Sequence, residues 1–202
     1  MTKETFSQSI LGISSSFRWI RNLRALHLWC LIAAVGTTLP NIYAQDQILT
    51  KTVSIGFGHS RDGIEIHRLG LRKDIGLLFC SDLGCLTGYY EASLSYWERG
   101  NNNISGVAFS PVFVYYFGSK SNSIHPYIDA GIGGAIISDT KIGNRDLSSN
   151  LHFEDRIGFG LRGRNYDVNF RYLHYSNAGL KQPNEGIDIL MISLGLGIKL
   201  PK

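Results

Sequence analysis

From Asp167 the chain alternates between polar and apolar side chains, and this period of two constrains the fold more than any other feature. Asp167, Asn169 and Arg171 are polar, whereas Val168, Phe170 and Tyr172 are apolar or aromatic. Successive side chains of a strand point to opposite faces, so the segment has one apolar face and one polar face. The pattern recurs where Leu190, Ile192, Leu194, Leu196, Ile198 and Leu200 alternate with Ser193, Gly195, Gly197 and Lys199. Phe153, Ile157, Phe159 and Leu161 alternate with Glu154, Arg156, Gly158, Gly160 and Arg162. Ile128, Ala130, Ile132 and Ile136 do so with Asp129, Gly131 and Gly133. Leu86, Tyr90, Ala92, Leu94 and Tyr96 oppose Thr87, Glu91, Ser93 and Ser95 less cleanly. Alternation over this many segments predicts an all-β chain.

Alternation alone does not say which face is inside. A soluble sandwich or barrel buries its apolar face, whereas a membrane barrel turns that face to lipid and keeps the polar one within. Two features of the strands favour the membrane barrel. The second face is rich in glycine and charge, residues that interlock in a narrow lumen, and aromatics such as Tyr89, Tyr90, Tyr96, Trp97, Tyr115, Tyr116 and Phe117 lie near strand ends, as in interfacial girdles. Eight segments are expected, near 50–58, 63–72, 86–98, 105–117, 124–137, 152–163, 165–176 and 187–199. They form an eight-stranded antiparallel transmembrane β-barrel, a size whose lumen is filled by side chains, which argues against a transport pore. Longer connections around 138–151 and 177–186 are the places where function is expected.

The N-terminus supports export. Lys3, Arg18, Arg21 and Arg24 against Glu4 give residues 1–44 a net charge of +3, leaving 16 basic and 15 acidic groups in the remainder. The basic excess therefore belongs to the leader and gives no reason to expect a nucleic-acid partner. A short apolar run over 25–35 follows, then Gly36, Pro40 and a small residue at Ala44, which describes a signal peptide over 1–44 and a mature domain over 45–202. No uninterrupted run of about 20 apolar residues exists, so a polytopic helical membrane protein is excluded. Cys80 and Cys85 flank a turn-like segment, and both a loop disulfide and a pair of free thiols fit. One cysteine pair without neighbouring histidines does not make a zinc site, and neither a metal nor an organic cofactor is expected.

One constellation carries chemistry. His174 and Ser176 are two apart on a strand and share a face, and Asp188 has the matching parity on the next strand. All three therefore point to lipid, where unpaired polar groups are costly unless they act together. A hydroxyl, an imidazole and a carboxylate are the parts of an acyl-transfer triad. Glu185, in the preceding loop, is the weaker choice of acid. Glu154 and Arg156 fall on the inward face as a lumen ion pair.

The segment from Leu173 through His174, Tyr175, Ser176, Asn177, Ala178 and Gly179 to Ile187 resembles the C-terminal signature of the lipid A 3-O-deacylase family of outer-membrane enzymes. Leu86–Tyr89, Phe109–Tyr115, Pro126–Gly133 and Phe153–Gly158 resemble further family segments in the same order. The resemblance implies an eight-stranded barrel with its triad on the outer wall. It makes His174 the general base, Ser176 the nucleophile, and Asn177, with the N–H of Ala178 or Gly179, the oxyanion donors. The family acid is usually glutamate where this chain has Asp188, so the shorter arm is expected to need a backbone shift or a bridging water, with Glu185 as a substitute if the loop folds back. The C-terminal Leu200-Pro201-Lys202 also departs from the aromatic ending common in outer-membrane barrels. The implied substrate is lipid A within lipopolysaccharide, in contact with outer-membrane lipid, and a homodimer is left open. Lys141 and Lys181 stand near the loops where lipid A phosphates would lie, and each also reads as an ordinary solvated lysine. A non-catalytic adhesive or structural barrel is the alternative reading.

Overall fold

The computed structural model describes residues 51–118 and 123–198. The leader expected over 1–44 and the terminal Leu200-Pro201-Lys202 lie outside the described residues. Eight strands close into an antiparallel barrel: β1 (Lys51–Ser60), β2 (Glu65–Ser81), β3 (Gly84–Arg99), β4 (Asn102–Phe117), β5 (His125–Ile137), β8 (Leu151–Arg162), β9 (Tyr166–Ser176) and β10 (Ile187–Ile198). Two short strands, β6 (Lys141–Ile142) and β7 (Arg145–Asp146), pair in the connection between β5 and β8. Around the wall the order is β1-β10-β9-β8-β5-β4-β3-β2, with β1 pairing to both β10 and β2, so no edge is left open along the core of the sheet.

The barrel is apolar outside and polar inside. Phe57, Leu69, Val107, Phe109, Ile157 and Phe159 are each at least 48% exposed on the outer wall, whereas Arg72, Glu91, Glu154 and Asn169 are at most 1% exposed within. This is the membrane arrangement, in which a closed ladder lets backbone groups pair between strands. Four arginines meet four carboxylates in the lumen: Arg68, Arg72, Arg156 and Arg171 against Glu91, Asp129, Glu154 and Asp167. Equal numbers of each sign leave the network neutral, and Tyr89, Tyr127, Tyr175 and Ser110 add hydrogen bonds to it. The Glu154–Arg156 contact expected from parity is part of this network.

Glycine makes the crowding feasible. A Cβ on Gly133 would fall 1.9 Å from Ser110 Oγ, and one on Gly158 would fall 2.5 Å from Asp129 Oδ1, so both positions yield space to network side chains. At one end, Ile64, Trp97, Ile104, Leu173, Tyr175 and Ile187 form an apolar plug with Ile142 and Leu147 from the β5–β8 connection. At the other end Tyr89, Val112, Val114 and Tyr127 form a second cluster. The lumen is thus packed over its length, consistent with the smallest common barrel.

The principal departure from the sequence expectation lies at 73–85, read there as a gap between strands. Instead β2 and β3 continue as a ribbon beyond Lys73, the last β2 residue paired with β1, to a turn closed by a Cys80–Cys85 disulfide. Register irregularities fall between Asp74 and Gly76 and between Leu77 and Phe79. Each such irregularity shifts which face a side chain takes, so the period-two signal is lost where the ladder continues.

The lumen network generates a stability prediction. Glu91 accepts hydrogen bonds from Arg68, Arg72 and Arg156 while 1% exposed. Glu91→Ala strands buried guanidinium charge and should destabilise the barrel by about 3–5 kcal/mol. Urea titration of the protein folded into lipid vesicles, followed by tryptophan fluorescence, would measure the loss.

Candidate active site

The site residues come from adjacent strands whose register brings them together. On β9 the burial alternates so that Phe170, Tyr172, His174 and Ser176 face outward while Asp167, Asn169, Arg171, Leu173 and Tyr175 face the lumen. On β10 the outward set is Asp188, Leu190, Ile192, Leu194 and Leu196. Asp188 is the direct cross-strand partner of His174. Direct partners on one face of an antiparallel pair have Cβ atoms about 4.5–5.5 Å apart, so a short side chain reaches its neighbour.

His174 Nδ1 lies 2.7 Å from Asp188 Oδ1. The short arm of Asp188 therefore makes a direct contact, without the backbone shift or bridging water expected from the sequence, because register supplies the reach that side-chain length does not. An ionised carboxylate only accepts hydrogen bonds, so Nδ1 carries the proton and, in the neutral ring, Nε2 keeps its lone pair. The same Asp188 oxygen accepts a hydrogen bond from Tyr172 Oη at 2.6 Å. His174 is 37% and Asp188 58% exposed at the side chain, so the pair is open to whatever lies against the wall.

Ser176 stands two residues beyond His174 on the same face. No hydrogen bond links it to His174 in this conformation, a contact that active sites without substrate often leave long. Glu185 is turned elsewhere: its Oε2 accepts the Asp146 N–H at 2.5 Å, in the connection between β5 and β8. Among the described residues it forms no hydrogen bond or ion pair with His174.

After Ser176 the chain enters a turn organised by Asn177, which is fully buried. Its Nδ2 donates to the carbonyls of Leu147 and Lys181, and its Oδ1 accepts the Gly179 N–H at 2.9 Å. The side chain is thus committed to loop structure, and the Gly179 amide is committed to it. Ala178, at φ 54°, holds the left-handed turn, and among the described residues its N–H has no hydrogen-bond partner. Of the three groups expected to offer oxyanion donors, the amide of Ala178 is the one left open.

Several residues at the site carried no expectation. Asp155 on β8 is the cross-strand partner of His174 from the other side and shares the outward face, so His174 has a carboxylate-bearing residue on each flank. The signal was in the sequence: 155 interrupts the apolar series of Phe153, Ile157, Phe159 and Leu161. Tyr172 was read only as an apolar strand position. Arg145 ties three segments together, donating from Nε to Asp62 Oδ2 at 2.7 Å and from Nη1 to the carbonyls of Glu185 and Gly186. Ser148 Oγ donates to the Pro183 carbonyl across the same contact. Lys141 pairs with Asp146 at 3.5 Å across the small β6–β7 ribbon.

Fold and site together define an outer-membrane β-barrel with a polar cluster set into its lipid-facing wall. A family model described as lipid A 3-O-deacylase (PagL) matches residues 67–197. The lipid A deacylase PagL of Pseudomonas aeruginosa is 44% identical over 153 residues, covering 74% of this chain and 85% of that relative. Its namesake from Bordetella bronchiseptica is 33% identical over 172 residues, covering 81% and 92%. The crystal structure of the outer membrane enzyme PagL is similar with a TM-score of 0.69 and 43% identity, over 73% of this chain and 99% of that one. The chain belongs to the lipid A 3-O-deacylase (PagL) family.

Arg145→Ala removes the links from β7 to Asp62 and to the 185–186 backbone. Limited proteolysis should then cut within 138–150 and 177–186 several-fold faster, while the barrel keeps its heat-modifiable migration on gels, because exposed loops open locally without global unfolding.

Proposed function

We propose that this chain is a lipid A 3-O-deacylase that works as a serine esterase from the outer face of its barrel. The reading rests on its family membership and, most directly, on one observation: His174 Nδ1 held 2.7 Å from Asp188 Oδ1, with Ser176 two residues along on the same lipid-facing strand surface. A substrate that is itself a membrane lipid meets such a site by lateral diffusion. The two longest described connections lie at the site's end, opposite the end where Lys51 pairs with Ile198. In outer-membrane barrels the longer loops are extracellular, which sets the site toward the leaflet that carries lipopolysaccharide.

In the proposed mechanism the lone pair of His174 Nε2 takes the proton of Ser176 as Oγ attacks the carbonyl carbon of the ester-linked 3-hydroxyacyl chain at position 3 of lipid A. The Asp188 carboxylate stabilises the imidazolium so formed and holds the ring in the required tautomer. The tetrahedral oxyanion is met by the Ala178 N–H, a preoriented dipole in the turn that Asn177 shapes. Collapse breaks the ester C–O bond, and His174 returns the proton to the departing sugar hydroxyl. Water, deprotonated by His174, then attacks the acyl-enzyme and releases a free 3-hydroxy fatty acid and Ser176.

Mass spectrometry of lipid A from cells expressing each variant tests this reading. The wild type should remove one 3-hydroxyacyl mass. Purified Ser176→Ala should lose activity by at least about 10⁴-fold and Asp188→Ala by about 10²–10⁴-fold. Glu185→Ala should retain near wild-type turnover. Full hydrolysis by Ser176→Ala would overturn the mechanism, and an intact lipid A profile from a correctly folded wild type would leave the non-catalytic barrel as the better reading.

A further inference from the structure

Asp188 Oδ1 accepts two hydrogen bonds, from His174 Nδ1 at 2.7 Å and from Tyr172 Oη at 2.6 Å. The register explains the second. Tyr172 lies directly opposite Leu190, two positions from Asp188, and a long aromatic side chain spans this diagonal across an antiparallel pair. Tyr172 and His174 are on the same strand and the same face, so they approach one carboxylate from adjacent positions. Among the described residues, no other side chain donates a hydrogen bond to Asp188.

An aspartate on an open wall is poorly constrained by packing. Its side chain is 58% exposed, and rotation about its torsions would carry Oδ1 away from the imidazole. A phenol fixed by its own strand provides the second anchor that burial provides in an enclosed active site. Its hydroxyl donates to the same oxygen that His174 engages, so two residues of one strand hold that oxygen in place.

We propose that Tyr172 is a positioning residue of the catalytic site, which holds the Asp188 carboxylate on His174 Nδ1 and so keeps Nε2 aimed at Ser176. This rests on the esterase reading above and extends it to a fourth residue. Tyr172 touches neither the nucleophile nor the scissile bond; it acts through Asp188. The consequence is a defined energetic coupling: the hydroxyl matters only while Asp188 is present to receive it.

A double-mutant cycle on the full-length protein in detergent–lipid A mixed micelles tests the proposal, with Tyr172→Phe, Asp188→Ala and the double variant. Tyr172→Phe removes one oxygen and keeps the ring, so the barrel should fold as the wild type does, checked by heat-modifiable migration. Its kcat should fall about tenfold, the worth of one hydrogen bond to a charged group, with KM unchanged within about twofold. In the Asp188→Ala background the same substitution should change kcat by less than about twofold. Equal losses in both backgrounds would assign Tyr172 a purely structural role and overturn the proposal. A Tyr172→Phe enzyme with wild-type kcat, beside an impaired Asp188→Ala, would overturn it while leaving the triad intact. Full activity of Asp188→Ala would instead overturn the esterase reading's choice of acid, and Tyr172's role with it.

Discussion

Glu91 sits in the middle of the lumen with guanidinium groups of Arg68, Arg72 and Arg156 on its two oxygens and that of Arg171 at 3.9 Å. The rest of the structure depends on this kind of contact. A barrel that turns its apolar face to lipid must send its polar face inward, where charges removed from water are tolerated only when they pair with one another. Four arginines and four carboxylates do so, and the glycines opposite them give up side-chain volume to let the groups meet. The neutral, packed lumen in turn fixes the register of the strands, and register is what places the site.

The outer wall poses the opposite problem. A polar group there faces hydrocarbon and is stabilised only by neighbours on the same surface. His174 and Tyr172 both hydrogen-bond to Asp188 across a single strand pair, and Asp155 bounds the cluster on the far side. The cluster is at the end of β9 and the start of β10, next to the two connections that Arg145, Asn177 and Ser148 knit together. Loop and wall are coupled through Asn177, whose side chain binds backbone on both the β5–β8 connection and its own turn. That arrangement leaves the Ala178 amide without a hydrogen-bond partner among the described residues, two positions beyond Ser176.

The expected eight strands and their outward and inward faces follow from side-chain alternation, a local property that depends on the chemistry of neighbouring residues alone. Phe170 and Leu194 outside, Arg171 and Glu154 inside, are legible because each strand obeys one parity from end to end. Where an irregularity breaks parity, as between Asp74 and Phe79, the ribbon that carries Cys80 and Cys85 is not legible, although Ile75, Leu77, Leu78 and Phe79 are apolar. The shared face of His174, Ser176 and Asp188 is readable from the same parity.

Parity does not carry register, and register depends on which backbone groups pair across the barrel. The sequence alone therefore determined an all-β chain, an apolar and a polar face for each strand, and a His-Ser-Asp set on one of those faces. Only the tertiary structure decided that Asp188 stands directly opposite His174, so that a short carboxylate reaches the ring, that Asp155 stands on its other side, and that Glu185 is drawn away to the Asp146 amide. It likewise decided that Tyr172 reaches Asp188 and that Asn177 is spent on the loop. These are contacts between segments whose mutual positions are set by closure of the whole sheet, and no local pattern of side chains encodes a closure condition.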